Sequence, residues 1–241
     1  MSLYRDHAVV LRTWKLGEAD RIVSLHTHDH GKVRGVAKGV RRTKSKFGAR
    51  LEPLSHIAIQ LYRGKGDLDT ITQVETVDRF VSLREHPDRF ARSQAMLEAV
   101  DQVAQDREPD PALHVMLVRA LRTLDQHDAA LVVAAFFLKL LAHEGLMPQL
   151  DECVSCGSTG PFAAFDFDDG GVLCHQCRRG RPLSAEALGL LRRILGGELG
   201  GALSEPVTAA TGEVDLLATA LLEHHLERRL RAVAVLDQTQ H

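Results

Sequence analysis

Apolar positions along the chain follow two different periods, and the change comes near residue 80. Before it, short segments alternate apolar and polar residues or run through β-branched residues, as in HAVVLRTW, ADRIVSLHT, GKVRGVAKG, SHIAIQLYR and DLDTITQVET. Such alternation is typical of half-buried strands, and Gly-rich turn signals such as residues 64–67 separate the segments. Five short strands with no helix between them predict a small barrel over residues 1–80.

After residue 86 the apolar spacing becomes helical. Helices are predicted from about Pro87 to Ala104, behind Asp110 and Pro111, from 128 to about 143, over 184–195 and over about 214–233. The segment 128–143 is apolar on nearly all sides, which indicates the buried centre of a bundle. The predicted fold class is therefore α+β, with a barrel domain at 1–80 and a helical domain at 81–241.

Charge divides the chain in the same way. Residues 1–80 hold fifteen Lys and Arg against nine Asp and Glu, whereas the remainder holds fifteen against twenty-three. Residues 32–50 contain eight basic residues and no acidic one. On an alternating strand over 31–39, the cations would share the outer face. We interpret this stretch as a track for a nucleic-acid backbone rather than a plain solvated loop. Its candidate contact residues are Lys32, Arg34, Lys38, Arg41, Arg42, Lys44, Lys46 and Arg50.

Aromatic residues make up only 5% of the chain, so base stacking cannot dominate along a long groove. Trp14 ends the first predicted strand, and we expect it to cover an end of the barrel. Phe47 lies inside the basic stretch, where stacking on a base and packing as an anchor are equally compatible with the sequence.

The four cysteines form two C-x2-C pairs separated by seventeen residues. Each pair brings two thiolates to one side of a turn, and two such turns complete a tetrahedral site suited to Zn²⁺. Four thiolates leave no open coordination position, so the metal would be structural, one ion per chain, in a module at 150–180. The predicted ligands are Cys153, Cys156, Cys174 and Cys177.

Two further groups of residues leave alternatives open. Arg178, Arg179, Arg181, Arg192 and Arg193 either extend the basic track or pair with nearby carboxylates. His26, His28 and His30 form an H-x-H-x-H pattern that a metal-dependent hydrolase could use, although exposed histidines near the turn at Gly31 are the favoured interpretation. The chain lacks a P-loop, a Gly-x-Ser-x-Gly motif and an HExxH motif, so we predict no enzyme.

The N-terminal residues lack an apolar segment behind a basic start, and the longest apolar run, residues 129–138, is too short to span a bilayer. These features predict a cytoplasmic protein without a membrane partner.

The phrases GEADRIVSLHTHDHGKVRGVAKGVRR and LEPLSHIAIQLYRGKGDLDTIT, with a C-x2-C…C-x2-C insert after EGLMP, resemble the bacterial recombination mediator family RecO over essentially the whole chain. The resemblance implies an N-terminal OB-fold, a helical bundle with a zinc module and a nucleoid-associated location. It also implies binding of single- and double-stranded DNA and annealing of complementary strands. The implied partners are RecR, single-strand-binding protein and, indirectly, the RecA recombinase. A zinc-containing OB-fold protein that binds RNA or the ribosome is the alternative.

Overall fold

The N-terminal strands close into a barrel in a computed structural model that describes residues 2–232. The strand order is β1-β2-β3-β5-β4, and β4 returns to pair with β1 in antiparallel register. β3 and β5 run parallel through a short contact, and the other neighbours are antiparallel. The predicted OB-fold barrel is confirmed. Its strands are β1 (Leu3–Leu16), β2 (Asp20–Thr27), β3 (Gly31–Ala37), β4 (His56–Tyr62) and β5 (Leu68–Asp78).

Strand β3 has the two faces that its sequence predicts. Its odd-numbered residues are buried, whereas Lys32, Arg34 and Val36 are only partly covered. Gly35 must be small because a Cβ atom there would lie 2.8 Å from Cγ1 of Ile71 inside the barrel. The strand ends at Ala37 rather than at residue 39, so Lys38 belongs to the following turn and not to the strand face.

Three helices complete the first compact unit, which comprises the described residues up to 126 together with 230–232. They are α1 (Val81–Glu85), α2 (Pro87–Val103) and α3 (Pro111–Gln126). Both α2 and α3 pack on β1 and β2. The short helix α1, which the sequence pattern did not predict, is held by a 3.0 Å hydrogen bond from the Leu83 N–H to Oδ1 of Asp125.

The second unit, His127–Arg229, combines helices with a small sheet. Nine residues of α4 (Val132–His143) are buried, as expected for a central helix. The remaining helices are α5 (Ala185–Leu195), α6 (Leu199–Leu203) and α7 (Ala209–His225). Ser184 caps α5 by accepting a hydrogen bond from the Ala187 N–H. Helix α7 ends at His225, well before the predicted end at Val233, which lies outside the described residues.

The segment between α4 and α5 is more ordered than its sequence suggested. Strands β6 (Phe162–Asp166), β7 (Gly171–Cys174) and β8 (Arg181–Pro182) form a sheet in the order β7-β6-β8. Strands this short carry too few residues for a clear alternation, so the periodicity missed them. The last barrel strand ends at Asp78, two residues before the predicted boundary, whereas the compact units divide after residue 126, so the boundary at residue 80 stays a prediction.

Candidate nucleic-acid interface and metal centre

Most of the predicted cations lie in one loop, residues 38–50, which we call the basic loop. The loop follows β3 and ends in a short 3₁₀ helix, Gly48–Leu51. Phe47 is only 2% exposed and packs in the barrel core, so it is an anchor and not a stacking surface. Arg41 ties the other end down, because its backbone N–H and its guanidinium donate to the carbonyls of Ala19 and Glu18 at 3.0 and 2.8 Å. The basic loop therefore has a defined path over the barrel.

The cations of the basic loop are exposed, and those with hydrogen bonds donate to carbonyl oxygens rather than carboxylates. Lys46 Nζ lies 2.9 Å from the Thr72 carbonyl and 4.9 Å from the centre of the Phe47 ring. Arg50 donates to the Lys46 and Phe47 carbonyls. Within residues 2–232, no carboxylate forms an ion pair with any cation of this loop. Because carbonyls do not neutralise charge, the full positive charge remains available to an anion. These cations are Lys38, Arg41, Arg42, Lys44, Lys46 and Arg50.

Lys32 and Arg34 have a different environment from the basic loop. The segment 105–107 runs beside β3, where the Lys32 N–H donates to the Gln105 carbonyl at 3.2 Å. Lys32 Nζ donates to the Asp101 carbonyl and lies 3.8 Å from Asp106. Arg34 lies 3.3 Å from the same Asp106 carboxylate. The two strand cations therefore already share an intramolecular acid, which the spacing of charges along the chain could not reveal.

Trp14 does not cover the end of the barrel. A bulge between Val10 and Arg12 changes the parity of β1, so Val10 faces the core while Trp14 pairs with Ile22 on the outer side. Ile22 pairs in turn with Val36 of β3. Trp14, Ile22 and Val36, which we call the outer row, are each partly exposed. The bulge is a tertiary feature, and this explains why the sequence pattern assigned Trp14 to the wrong surface.

The four cysteines gather at one point, although two of them are separated by a whole hairpin from the others. All four Sγ atoms lie within 4.8 Å of one another, and Cys156 Sγ is 3.8 Å from Cys174 Sγ. A tetrahedral site with Zn–S bonds of about 2.3 Å has sulfur atoms about 3.8 Å apart, so the donor set fits this ion. Backbone geometry supports the first turn, since the Gly157 N–H donates to the Cys153 carbonyl at 2.8 Å and Gly157 has a φ of 74°.

The surroundings of the Cys153 side chain favour its deprotonated, thiolate form. The backbone N–H of Cys174 donates to Cys153 Sγ at 3.4 Å, and this bond is the main cause of a pKa lowered to about 6. Hydrogen bonds to a thiolate favour the charged form, which is the form that ligates a metal. His175, between the second pair of cysteines, is exposed and is not part of the cluster.

Two family models cover both halves of the chain. The model described as Recombination protein O N terminal matches residues 1–80, and the model described as Recombination protein O C terminal matches residues 84–234. The chain belongs to the recombination protein O family. Membership in this family assigns a role in DNA recombination and repair, with DNA binding, and it favours DNA over the RNA-binding alternative.

In this member of the recombination protein O family, most of the second-unit arginines whose role the sequence left open are paired with carboxylates. Arg179 binds the carboxylates of Asp166 and Asp169. Arg192 lies 3.2 Å from Asp151, and Arg193 lies 2.6 Å from Glu205. The alternative in which these three residues pair with carboxylates is thus the one observed. Arg181 donates to the Leu216 carbonyl at 3.5 Å, and Arg178 is exposed.

The histidine pattern divides between the two interpretations: His26 lies in a buried cluster with His56 and His114, whereas His28 and His30 are partly exposed residues of the turn before Gly31. His26 is fully buried, and neither of its ring nitrogens has a hydrogen-bond partner. Its ring centre lies 5.8 Å from that of His114, which also neighbours His28 and His56. Burial, followed by the proximity of His114, lowers the pKa of both His26 and His56 to about 4. The imidazoles are therefore neutral near pH 7.

This cluster does not resemble the cysteine site. Among the residues that the structure describes, only the cysteines bring three or more potential ligand atoms of His, Cys, Asp or Glu close to one point. His30 instead pairs with the buried Asp6 carboxylate at 2.6 Å. The cluster therefore gives no support to a hydrolase that uses His26 and His28.

No helix within residues 2–232 is long and apolar enough to cross a membrane.

Proposed function

We propose that this protein is a recombination mediator that binds single- and double-stranded DNA through the phosphate backbone, using the basic loop as its main contact. The observation that carries the proposal is the exposed, carboxylate-free charge of that loop, anchored on an OB-fold barrel by Phe47. Phosphate contacts supply affinity without reading sequence. Lys32 and Arg34 contribute less in this proposal, because Asp106 competes with phosphate for them.

A charge reversal within the basic loop tests the proposal. Arg42 and Lys44 are the best positions, because neither side chain forms a hydrogen bond with any residue between 2 and 232. We expect Arg42→Glu with Lys44→Glu to weaken binding equally for all sequences. For single strands, the slope of log affinity against log salt should become shallower by about 1.4, since each phosphate contact contributes about 0.7.

The matched control is Arg119→Glu with Arg229→Glu, which changes the net charge equally at exposed positions outside the basic loop. We expect this control to bind DNA with an almost unchanged salt slope. Equal losses in the two variants would mean that net charge, and not the basic loop, determines binding, and the proposal would then be wrong.

We further propose that the protein anneals complementary strands without a nucleotide. Annealing requires that the repulsion between two phosphate backbones is reduced while the base edges stay free, and a sequence-blind cationic loop meets both requirements. The rate of duplex formation between complementary oligonucleotides should decrease with salt in parallel with DNA affinity. A requirement for ATP hydrolysis would contradict the proposal.

Family membership also supports the proposed partners RecR, single-strand-binding protein and RecA. We propose that the protein acts with RecR to help load RecA onto DNA coated by single-strand-binding protein. The test is the DNA-dependent ATPase activity of RecA on coated single strands. We expect activity to recover only when this protein and RecR are both present, and recovery with RecR alone would contradict the assignment.

The cysteine cluster is proposed to bind one structural Zn²⁺ per chain. The proposal is supported by four sulfur ligands at tetrahedral spacing and by the absence of a fifth potential ligand from that group among the described residues. Metal analysis of freshly purified, reduced protein should return about one zinc per chain. A metal-free but equally stable protein would contradict it.

A further inference from the structure

The outer row lies on the face of the barrel formed by β1, β2 and β3. Trp14, Ile22 and Val36 are direct cross-strand neighbours, so their side chains form one continuous apolar strip over three strands. None of the three belongs to the core cluster of the barrel. An apolar strip that leaves its aromatic ring partly exposed is available to a ligand.

This strip adjoins the basic loop. The guanidinium of Arg41 donates to the Gly17 and Glu18 carbonyls in the turn between β1 and β2, which begins directly after Leu16. The Gly39 N–H donates to Asp20 at the start of β2 at 2.7 Å. A strand whose phosphates contact the basic loop would therefore have its bases close to the outer row. The sheet face around strands 2 and 3 is also where OB-folds generally hold oligonucleotides.

Arg12 can exchange its contact with the Trp14 ring for a contact with a phosphate. Its guanidinium carbon lies 4.8 Å from the centre of the Trp14 ring, in a cation–π contact at an exposed position. Such a contact is weaker than the stacking of a nucleobase on an aromatic ring. A base can thus displace the guanidinium from the ring, and the freed arginine gains a phosphate partner.

We propose that Trp14 stacks on an unpaired base of single-stranded DNA, with Ile22 and Val36 forming the floor of the contact and Arg12 moving to a phosphate. The inference rests on the proposed DNA binding and adds to it a preference for single-stranded over duplex DNA. Bases in a duplex are already stacked on each other, so duplex DNA uses the basic loop without using Trp14. Trp14 therefore favours single strands over duplexes.

The chain contains one tryptophan, so the intrinsic tryptophan fluorescence of the unmodified protein reports on Trp14 alone. The experiment compares three DNAs in a fluorescence titration: oligothymidylate, a duplex of the same length, and a single strand of equal charge that carries abasic sites. We expect fluorescence quenching with oligothymidylate alone. Because the abasic strand keeps its phosphates and lacks bases, it separates stacking from a general electrostatic effect.

Two substitutions provide a second measurement. Trp14→Leu keeps an apolar side chain without a large ring, and we expect single-strand affinity to fall about 5- to 100-fold while duplex affinity stays within about twofold. Trp14→Phe should retain most of the single-strand affinity. Thermal unfolding of both variants checks that the barrel is intact, and the fluorescence titration does not depend on either variant.

The outcomes distinguish this inference from the proposed function. Salt-dependent binding of oligothymidylate with unchanged tryptophan fluorescence would overturn the stacking contact and leave DNA binding intact. Equal quenching by the abasic strand would also overturn it. A protein that binds none of the three DNAs would overturn the proposed function together with the inference.

Discussion

The basic loop on the barrel and the arginines at 178–193 in the second unit have similar charge but different partners. In the basic loop, cations are exposed and contact carbonyl oxygens or no protein group. In the second unit, Arg179, Arg192 and Arg193 each lie within 4.0 Å of a carboxylate. Unpaired cations attract an external anion, whereas paired ones hold the local fold together. The number of basic residues therefore does not identify a nucleic-acid surface; their partners do.

Loss of the metal should produce the largest effect and should act on the second unit. Cys153→Ser removes a buried ligand, and because metal binding is coupled to folding we expect a loss of several kcal/mol in stability. Zinc content and thermal unfolding measure it. The control is His175→Ala, an exposed residue between two ligands, which should retain metal. If Cys153→Ser keeps both its zinc and its melting temperature, the cluster is not a structural site.

Removing the anchor of the basic loop should have the next largest effect. Phe47→Ala empties a core position and should cost about 3–5 kcal/mol in unfolding free energy, measured by denaturant titration. DNA affinity should fall as well, since the cations lose their fixed path. Phe90→Ala, at a position that is 38% exposed, is the matched control and should cost far less. Equal costs at the two positions would mean that Phe47 does not anchor the loop.

Acid should weaken the first unit through its buried histidines. The folded-state pKa of His26 and of His56 is lowered to about 4, from an unfolded value of 6.5. The unfolded chain therefore binds more protons, and stability that is present above pH 6.5 is lost as the pH falls towards 4. For His26 the loss is roughly 3 kcal/mol. The charged or titratable side chains that act on the pKa of His26 are those of His114, Asp110, Lys32 and Asp6.

Thiolate ligands also protonate in acid, so the measurement must isolate the histidine. Unfolding free energies at pH 7 and pH 5 are compared for the wild type, for His26→Gln and for the exposed control His127→Gln. We expect the decrease between the two pH values to be smaller in His26→Gln and unchanged in the control. An identical decrease in all three proteins would contradict the assignment to His26.

The smallest expected effect tests the pairing argument directly. Asp106→Asn removes the shared acid of Lys32 and Arg34, and we expect DNA affinity to rise about two- to fivefold, because exposed ion pairs are worth at most about 1 kcal/mol. Asp151→Asn, which frees Arg192 in the second unit, is the matched substitution. We expect no change in DNA affinity there. An equal rise in both variants would show that any released cation binds DNA and would remove the contrast between the two regions.

Several elements were predictable because their signal is local. The alternation of apolar and polar residues predicted the five barrel strands. Pro87 and Ser184 predicted where α2 and α5 begin. Other elements were missed because their signal is short or depends on distant partners. Helix α1 and strands β6–β8 have few residues, and Lys38 was assigned to a strand that ends one residue earlier.

The sequence by itself determined the barrel, the central apolar helix and the grouping of the four cysteines, since periodicity and C-x2-C spacing are properties of neighbouring residues. Only the tertiary structure decided which cations remain available, which face Trp14 occupies and that His26 is buried. Asp106 reaches Lys32 and Arg34 from 72 or more residues away in the chain. A single bulge in β1 turns Trp14 outward. Charge pairing and burial depend on contacts between remote segments, and the spacing of residues along the chain does not predict those contacts.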